Sequence, residues 1–235
     1  MRSNRWRLLL LAALLVTPLA AQRGEPVTVT GAISVEGAPA GRRDWSGVAV
    51  WLTPQSEEAR HADGAGKRLR ILQHGKEFEP HVLVVPVGAT VDFPNLDPFF
   101  HNVFSLFDGR RFDLGLYESG ASRSVTFPRA GICFLFCNIH PNMSATVVVV
   151  DTPYYATTGR TGAFTITGVP PGRYRLSLWH DQFRPTRPAD FPRDVVVGAS
   201  LTLDPITLVQ AHDPMTGHQN KFGHEYTPPA HNPLY

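Results

Sequence analysis

Cysteine is nearly absent: Cys133 and Cys137 are the only two in 235 residues, so no disulfide framework organises this chain. Both fall in the apolar run Ile132-Cys133-Phe134-Leu135-Phe136-Cys137, which reads as one strand. At ~3.3 Å per residue their α-carbons stand about 13 Å apart, beyond the ~7 Å that a bridge spans. They are not expected to pair with each other. Charge is scarce too, at 18% Asp, Glu, Lys and Arg with a net +2. No basic run exceeds pairs such as Arg42-Arg43 or Arg110-Arg111, which excludes the basic face that nucleic acid requires. Long apolar runs are missing beyond the first twenty-odd residues, so no mature segment is expected to span a bilayer. Sustained 3.6-residue apolar periods between helix caps are missing as well.

What is present has strand character. Val27 to Thr30, Val48 to Leu52, Val82 to Val85, Thr90 to Phe93, Ser124 to Phe127, Ile132 to Cys137 and Ala145 to Val150 are short, rich in β-branched and aromatic residues, and separated by turn residues. After Asp151 the segments Thr161 to Ile166, Val169 to Leu178, Val195 to Val197 and Leu201 to Leu208 follow the same pattern around a Pro170-Pro171-Gly172 turn. The hydrophobic content of 43% suffices for packed cores. The class expected is all-β, built from sandwiches.

The first 21 residues carry Arg2, Arg5 and Arg7, then the apolar run Leu8 to Val16, then Pro18, Ala20 and Ala21. This is the layout of an export signal cleaved after Ala21, and its apolar run is too short for a membrane anchor. A periplasmic location follows as an expectation. Glu57 to Lys67 reads as a linker, and Ala211 onward, rich in Pro and Gly, reads as an irregular tail.

Chemistry concentrates at Cys137-Asn138-Ile139-His140-Pro141-Asn142-Met143, preceded by His101-Asn102-Val103. Cys137, His140 and Met143 supply a thiolate, an imidazole and a thioether from one short C-x2-H-x2-M loop, and His101 supplies a second imidazole from another strand. Soft sulfur with imidazole suits copper that cycles between Cu(I) and Cu(II), a trigonal Cys-His-His plane with a weak axial Met. The competing reading of the same residues is a core cysteine with ordinary loop residues in a metal-free sandwich. His74, His81 and His180 are isolated and read as structural or surface residues. His212, His218, His224 and His231 read as solvated tail residues.

The Cys-x-x-His-Pro-x-Met loop and His-Asn-Val resemble the cupredoxins, most closely their amicyanin- and plastocyanin-like, methylamine-utilisation-like members. The resemblance covers roughly Leu69 to Asp151, including Phe78-Glu79-Pro80, Val87 to Val91 and Phe93-Pro94-Asn95. It implies a Greek-key β-sandwich, one type 1 copper with His101, Cys137 and His140 in the equatorial plane and Met143 on the axis, and a non-enzymatic electron carrier. It further implies that the Asn102 backbone N–H donates to the thiolate. It makes His140 a partly exposed ligand, beside Pro141, Phe99 and Phe100, near which redox partners dock.

The flanks, with Gly31 to Gly37 as a first hairpin and Gly47 to Leu52 as the next strand, resemble a carboxypeptidase regulatory-like domain, a transthyretin-like sandwich. The organisation expected is residues 25–60 and 152–210 as that discontinuous sandwich, 67–151 as the copper domain inserted in it, and 211–235 as tail. A binuclear centre using Cys133 would need C-x3-C-x3-H, one residue longer than the spacing here, so Cys133 reads as a buried core thiol. Catalytic copper proteins need further sites, commonly His-x-His pairs, and none occurs. Two other functions stay open: an envelope partner-binding sandwich in which copper is structural or sensory, and copper storage or delivery.

Overall fold

The computed structural model describes residues 24–37, 44–56, 64–106, 110–187, 191–211 and 218–226. The export-signal expectation, His212, His231 and most of the 57–67 linker lie outside the described residues. Within them every regular element named is a strand, and the chain is all-β with several sheets.

Two of these sheets enclose one apolar core. The first runs in the order Val82–Pro86, Ser144–Val150, Gly131–Phe136, His101–Ser105, Phe112–Tyr117. The second is Ser122–Thr126, Thr90–Pro94, Arg68–Arg70. Although Val82–Pro86 and Thr90–Pro94 flank the tight Val87-Gly88 turn, they belong to different sheets. The turn therefore carries the chain across the core rather than closing a hairpin. Ile71, Val91, Phe93, Val103, Tyr117, Phe127 and Leu135 fill the space between, together with Cys133, Cys137 and Met143.

A second core lies between two other sheets. One is Tyr155–Thr157, Ala49–Pro54, Gly172–Trp179, Arg193–Val197. The other is Ala163–Val169, Val27–Glu36, Ile206–Gln210, Phe183–Pro185, with Leu201–Thr202 also on Val27–Glu36. Val29, Ile33, Val50, Leu52, Phe164, Ile166, Leu176 and Leu208 pack there. The first-hairpin expectation at Gly31 to Gly37 is corrected: Val27–Glu36 is one continuous strand, antiparallel to Ala163–Val169 through Ala32 and parallel to Ile206–Gln210 from Ile33. Gly31 is needed for space, since a Cβ there would lie 2.5 Å from the Phe164 ring. The glycine marks a close approach, not a turn. Leu201 to Leu208 is likewise two strands, parted at residues 203–205.

The valine run at 147–150 has its explanation in how the two halves meet. A strand with one wet face alternates, and an unbroken apolar run means both faces are covered. Ala145, Val147 and Val149 face the first core. Val148 and Val150 turn the other way, with Val82 and Val84, onto Ala49, Trp51, Tyr155 and Trp179 of the second half. Phe134 adds a ring contact to Trp179, centroids 6.0 Å apart.

At the rim of this apolar contact, Asp181 is 3% exposed and accepts from His81 Nε2 (2.6 Å) and His180 Nδ1 (2.7 Å). His81 Nδ1 lies 3.0 Å from the Ser144 carbonyl. Burial alone would raise the Asp181 carboxyl, but its hydrogen bonds from His180 and His81 outweigh that and hold it well below the usual range. His81 thus joins the two halves, which its isolation in sequence did not reveal. Asp181→Ala should lower the unfolding free energy by about 2–3 kcal/mol, because it strands two imidazole donors at a part-buried contact. Chemical denaturation measures this, and a loss under ~0.5 kcal/mol would show that the clasp contributes nothing.

Candidate metal centre

Cys137 is the first residue beyond the Gly131–Phe136 strand, and the chain folds back at once to start Ser144–Val150. Two backbone bonds fasten the loop between: Cys137 N–H to the Met143 carbonyl (3.0 Å) and Met143 N–H to the His140 carbonyl (3.1 Å). The seven-residue loop is therefore closed on itself. His101 opens the neighbouring strand, antiparallel through Phe104 and Phe136, which brings its ring to the same point.

The donor atoms converge. His101 Nδ1 and His140 Nδ1 are 3.1 Å apart, and Cys137 Sγ lies 3.5 Å from His140 Nδ1 and 3.9 Å from His101 Nδ1. All three lie within 4.8 Å of one another. Relative exposure is 0% for His101, Cys137 and Met143, and 8% for His140. The partly exposed loop histidine that the sequence suggested is corrected: His140 is covered, its ring tilted against Phe99 with centroids 5.8 Å apart. Its Nε2 is buried without a partner among the described residues. Met143 sits in the core cluster that holds Cys137.

Three features prepare this group for a cation. Asp97 Oδ2 accepts from His101 Nε2 at 2.7 Å, which places the ring proton on Nε2 and leaves the Nδ1 lone pair facing the cluster. Asp97 is itself held by the Gly75 N–H (2.7 Å) and the Lys76 N–H (2.9 Å). These belong to a two-residue hairpin turn with φ of 65° and 61°, the positive values that such a turn demands. Lys76 therefore stands where glycine is the easy choice, and its N–H serves the carboxylate. Burial would raise Asp97, but the N–H of Lys76, the ring of His101 and the N–H of Gly75 outweigh it and keep the carboxyl below its ordinary value.

Backbone N–H groups of Ile139, Asn102 and His140 point at the Cys137 sulfur and favour the thiolate, against burial that pushes the thiol pKa up. The Asn102 donor is the one the resemblance implied. Burial lowers His101, and burial with the neighbouring His101 and Lys76 charges pushes His140 down to about 4. The imidazoles are consequently neutral at pH 7, with lone pairs available. Two imidazole nitrogens and a sulfur, dry and convergent, form a His-Cys-His cluster capable of coordinating a metal, and its donors fit a soft to borderline ion.

Cys133 stays apart. Both cysteines are free, and Cys133 Sγ lies 3.3 Å from Ser105 Oγ, with burial raising its pKa to about 11. No sequence signal marks Asp97, whose role depends on loop geometry. Nor does one mark Tyr226 and Lys221, which reach the loop from the chain's far end. His218 is corrected: the ring stacks on Phe136 at 4.1 Å and does not wave in solvent.

A profile of the carboxypeptidase regulatory-like domain matches residues 140–208, under a third of the chain. The matched span starts inside the 137–143 loop and includes Ser144–Val150, which lies in the sheet that carries the His-Cys-His cluster. Among solved structures, the chain is similar to a Cu-containing nitrite reductase (NirK) from Thermus scotoductus SA-01, with 28% identity and TM-score 0.34. That match covers 35% of this chain and 22% of the other, so this chain spans only a small part of that protein. It is similar to a purple cupredoxin from Nitrosopumilus maritimus (26% identity, 35% and 99% covered, TM-score 0.33). It is also similar to the reduced P94F mutant of amicyanin (28% identity, 43% and 99% covered, TM-score 0.34). No curated protein matches.

The metal-free site makes a pH prediction. An unfolded histidine takes a proton near 6.5, whereas folded His140 stays neutral down to about 4, so falling pH favours the unfolded chain across that window. His101 adds to the loss in the same direction. The lowered carboxylates Asp97 and Asp181 contribute their own loss only as pH falls below 3.8. The metal-free melting temperature should therefore fall between pH 6.5 and 4, and His140→Gln should flatten that fall. Parallel curves for the two proteins would contradict the assignment.

Proposed function

We propose that this chain is an exported electron carrier or relay built on one type 1 copper, with His101, Cys137 and His140 in the equatorial plane and Met143 on the axis. The observation that carries the reading is the convergence of two imidazole nitrogens and one sulfur in a buried cluster that contains no carboxylate donor. Hard cations want oxygen ligands, and copper and zinc accept nitrogen and sulfur. The buried thioether of Met143 on the same loop favours copper of the two.

Copper would supply one-electron exchange. The chain's own part is to hold the donors still: Asp97 fixes the His101 ring, three N–H groups fix the thiolate, and the two loop bonds fix His140 and Met143. A site that does not rearrange suits rapid electron exchange better than metal delivery, and the near-complete burial of its donors opposes exchange of the ion.

Redox partners would dock beside His140, on the side where Phe99 contacts both rings and its chain neighbour Phe100 is 45% exposed. Architecturally, we read residues 67–151 as a Greek-key cupredoxin sandwich set into a transthyretin-like sandwich of residues 25–60 and 152–210, with 211–235 as tail. The separate cores support this reading, and the match at 140–208 supports its later outer segment although it begins before residue 152. No helix among the described residues is long and apolar enough to cross a membrane. The periplasmic location rests on the composition of residues 1–21.

The copper-loaded protein should be intensely coloured through thiolate-to-Cu(II) charge transfer. Cys137→Ser should abolish the band and Cys133→Ala should leave it in place, as read by visible absorption. Colour lost in both variants would mean a binuclear centre instead. Met143→Leu should retain copper and raise the reduction potential, since the axial bond is weak. Failure of that variant to hold copper would refute the axial assignment.

A further inference from the structure

Residues 218–226 come after Ile206–Gln210, the last strand among the described residues, yet they lie against the ligand loop of the other half. The segment is a formed turn: the Asn220 side-chain oxygen accepts from the Phe222 N–H (2.9 Å) and the His224 N–H (3.1 Å), and the Gly223 N–H reaches the Asn220 carbonyl (2.9 Å). From this turn two side chains grip the metal cluster's surroundings at separate points.

Tyr226 donates its hydroxyl to the carbonyl of Cys137 at 2.8 Å. Its oxygen also lies 3.0 Å from His218 Nε2, and the His218 ring stacks on Phe136, the residue before the thiolate. Lys221 takes the next residue, its backbone N–H reaching Asn138 Oδ1 at 3.0 Å. The Lys221 ammonium then reaches Asp113 Oδ2 (2.7 Å), and Asp113 Oδ1 accepts from the Asn102 side chain (2.8 Å). Asn102 is the residue whose backbone N–H faces the Cys137 sulfur. One short segment thus holds the thiolate from its carbonyl side and, through Asp113, the strand that supplies its N–H donor.

We propose that residues 218–226 are a positioning strap for the metal centre, with Tyr226 and Lys221 as the residues that set the thiolate's geometry. The proposal rests on the copper reading above. The Cys137 side chain projects from a backbone whose carbonyl is pinned by Tyr226, so freeing that carbonyl lets the peptide plane turn and carries Sγ with it. Neither residue touches the donor atoms. Their effect passes through Cys137 and Asn102, which makes them positioning residues.

Tyr226→Phe in the full-length chain removes one oxygen and keeps the ring on His218. Three measurements decide its effect. In the metal-free protein carrying Cys133→Ala, Cys137 is the only thiol, and its alkylation by a small thiol reagent should run about five- to tenfold faster in the Tyr226→Phe variant, the factor that one net hydrogen bond controls. In the copper-loaded protein the thiolate charge-transfer band and the reduction potential should both shift, while the far-ultraviolet spectrum stays that of the parent. Lys221→Met should move the potential as well, through Asp113 and Asn102.

Unchanged alkylation in Tyr226→Phe would overturn the proposal. Faster alkylation with an unmoved band and potential would also overturn it, since the segment would then be a cover only. If the parent protein shows no charge-transfer band, the copper reading is what fails, and the alkylation rates alone still uphold or overturn the strap's hold on the loop.

Discussion

Two imidazole nitrogens and a sulfur brought within 4.8 Å of one another in a dry site are poorly satisfied by each other. A buried polar atom without a partner costs about 1–3 kcal/mol. The arrangement persists because the surroundings over-determine it. Asp97 anchors one ring, the Gly75-Lys76 turn anchors Asp97, and the loop bonds between Cys137, His140 and Met143 leave the second ring little freedom. A cation that accepts all three lone pairs relieves the conflict without moving these parts.

The sheets supply the rigidity that this requires. His101 and Cys137 stand at the ends of neighbouring antiparallel strands, and Ser144–Val150, which closes the ligand loop, is buried on both faces. Its outer face is covered by the second half of the molecule through Val148, Val150, Ala49 and Trp51. The second half therefore backs the sheet that carries the His-Cys-His cluster, and its apolar contact is clasped at the rim by His81, Asp181 and His180. Any looseness between the halves would be felt at the strand that ends the ligand loop.

How much of this could be read beforehand follows from locality. Cys137, His140 and Met143 are neighbours in sequence and share one loop, so their spacing alone announces the donors. His101 lies far upstream and was legible because its residue type completes the set. Asp97 was not, since a carboxylate four residues before a histidine in a loop has no periodic signature. Val147 to Val150 announced a strand but not what covers its second face. Gly31 misled because a strand glycine required by the Phe164 ring looks the same in sequence as a turn glycine. The solvated reading of His218 failed for a similar reason: its ring stacks on Phe136, a residue far away in sequence.

On the proposed reading, Cys137, His101 and His140 hold one copper in a geometry that both oxidation states accept. X-ray absorption at the copper edge tests it most directly, on the loaded protein before and after reduction by one electron. One short copper–sulfur distance and two copper–nitrogen distances are expected in both states, with only small changes between them. A shell of oxygen neighbours, a copper–copper distance, or a first shell that rearranges on reduction would contradict it.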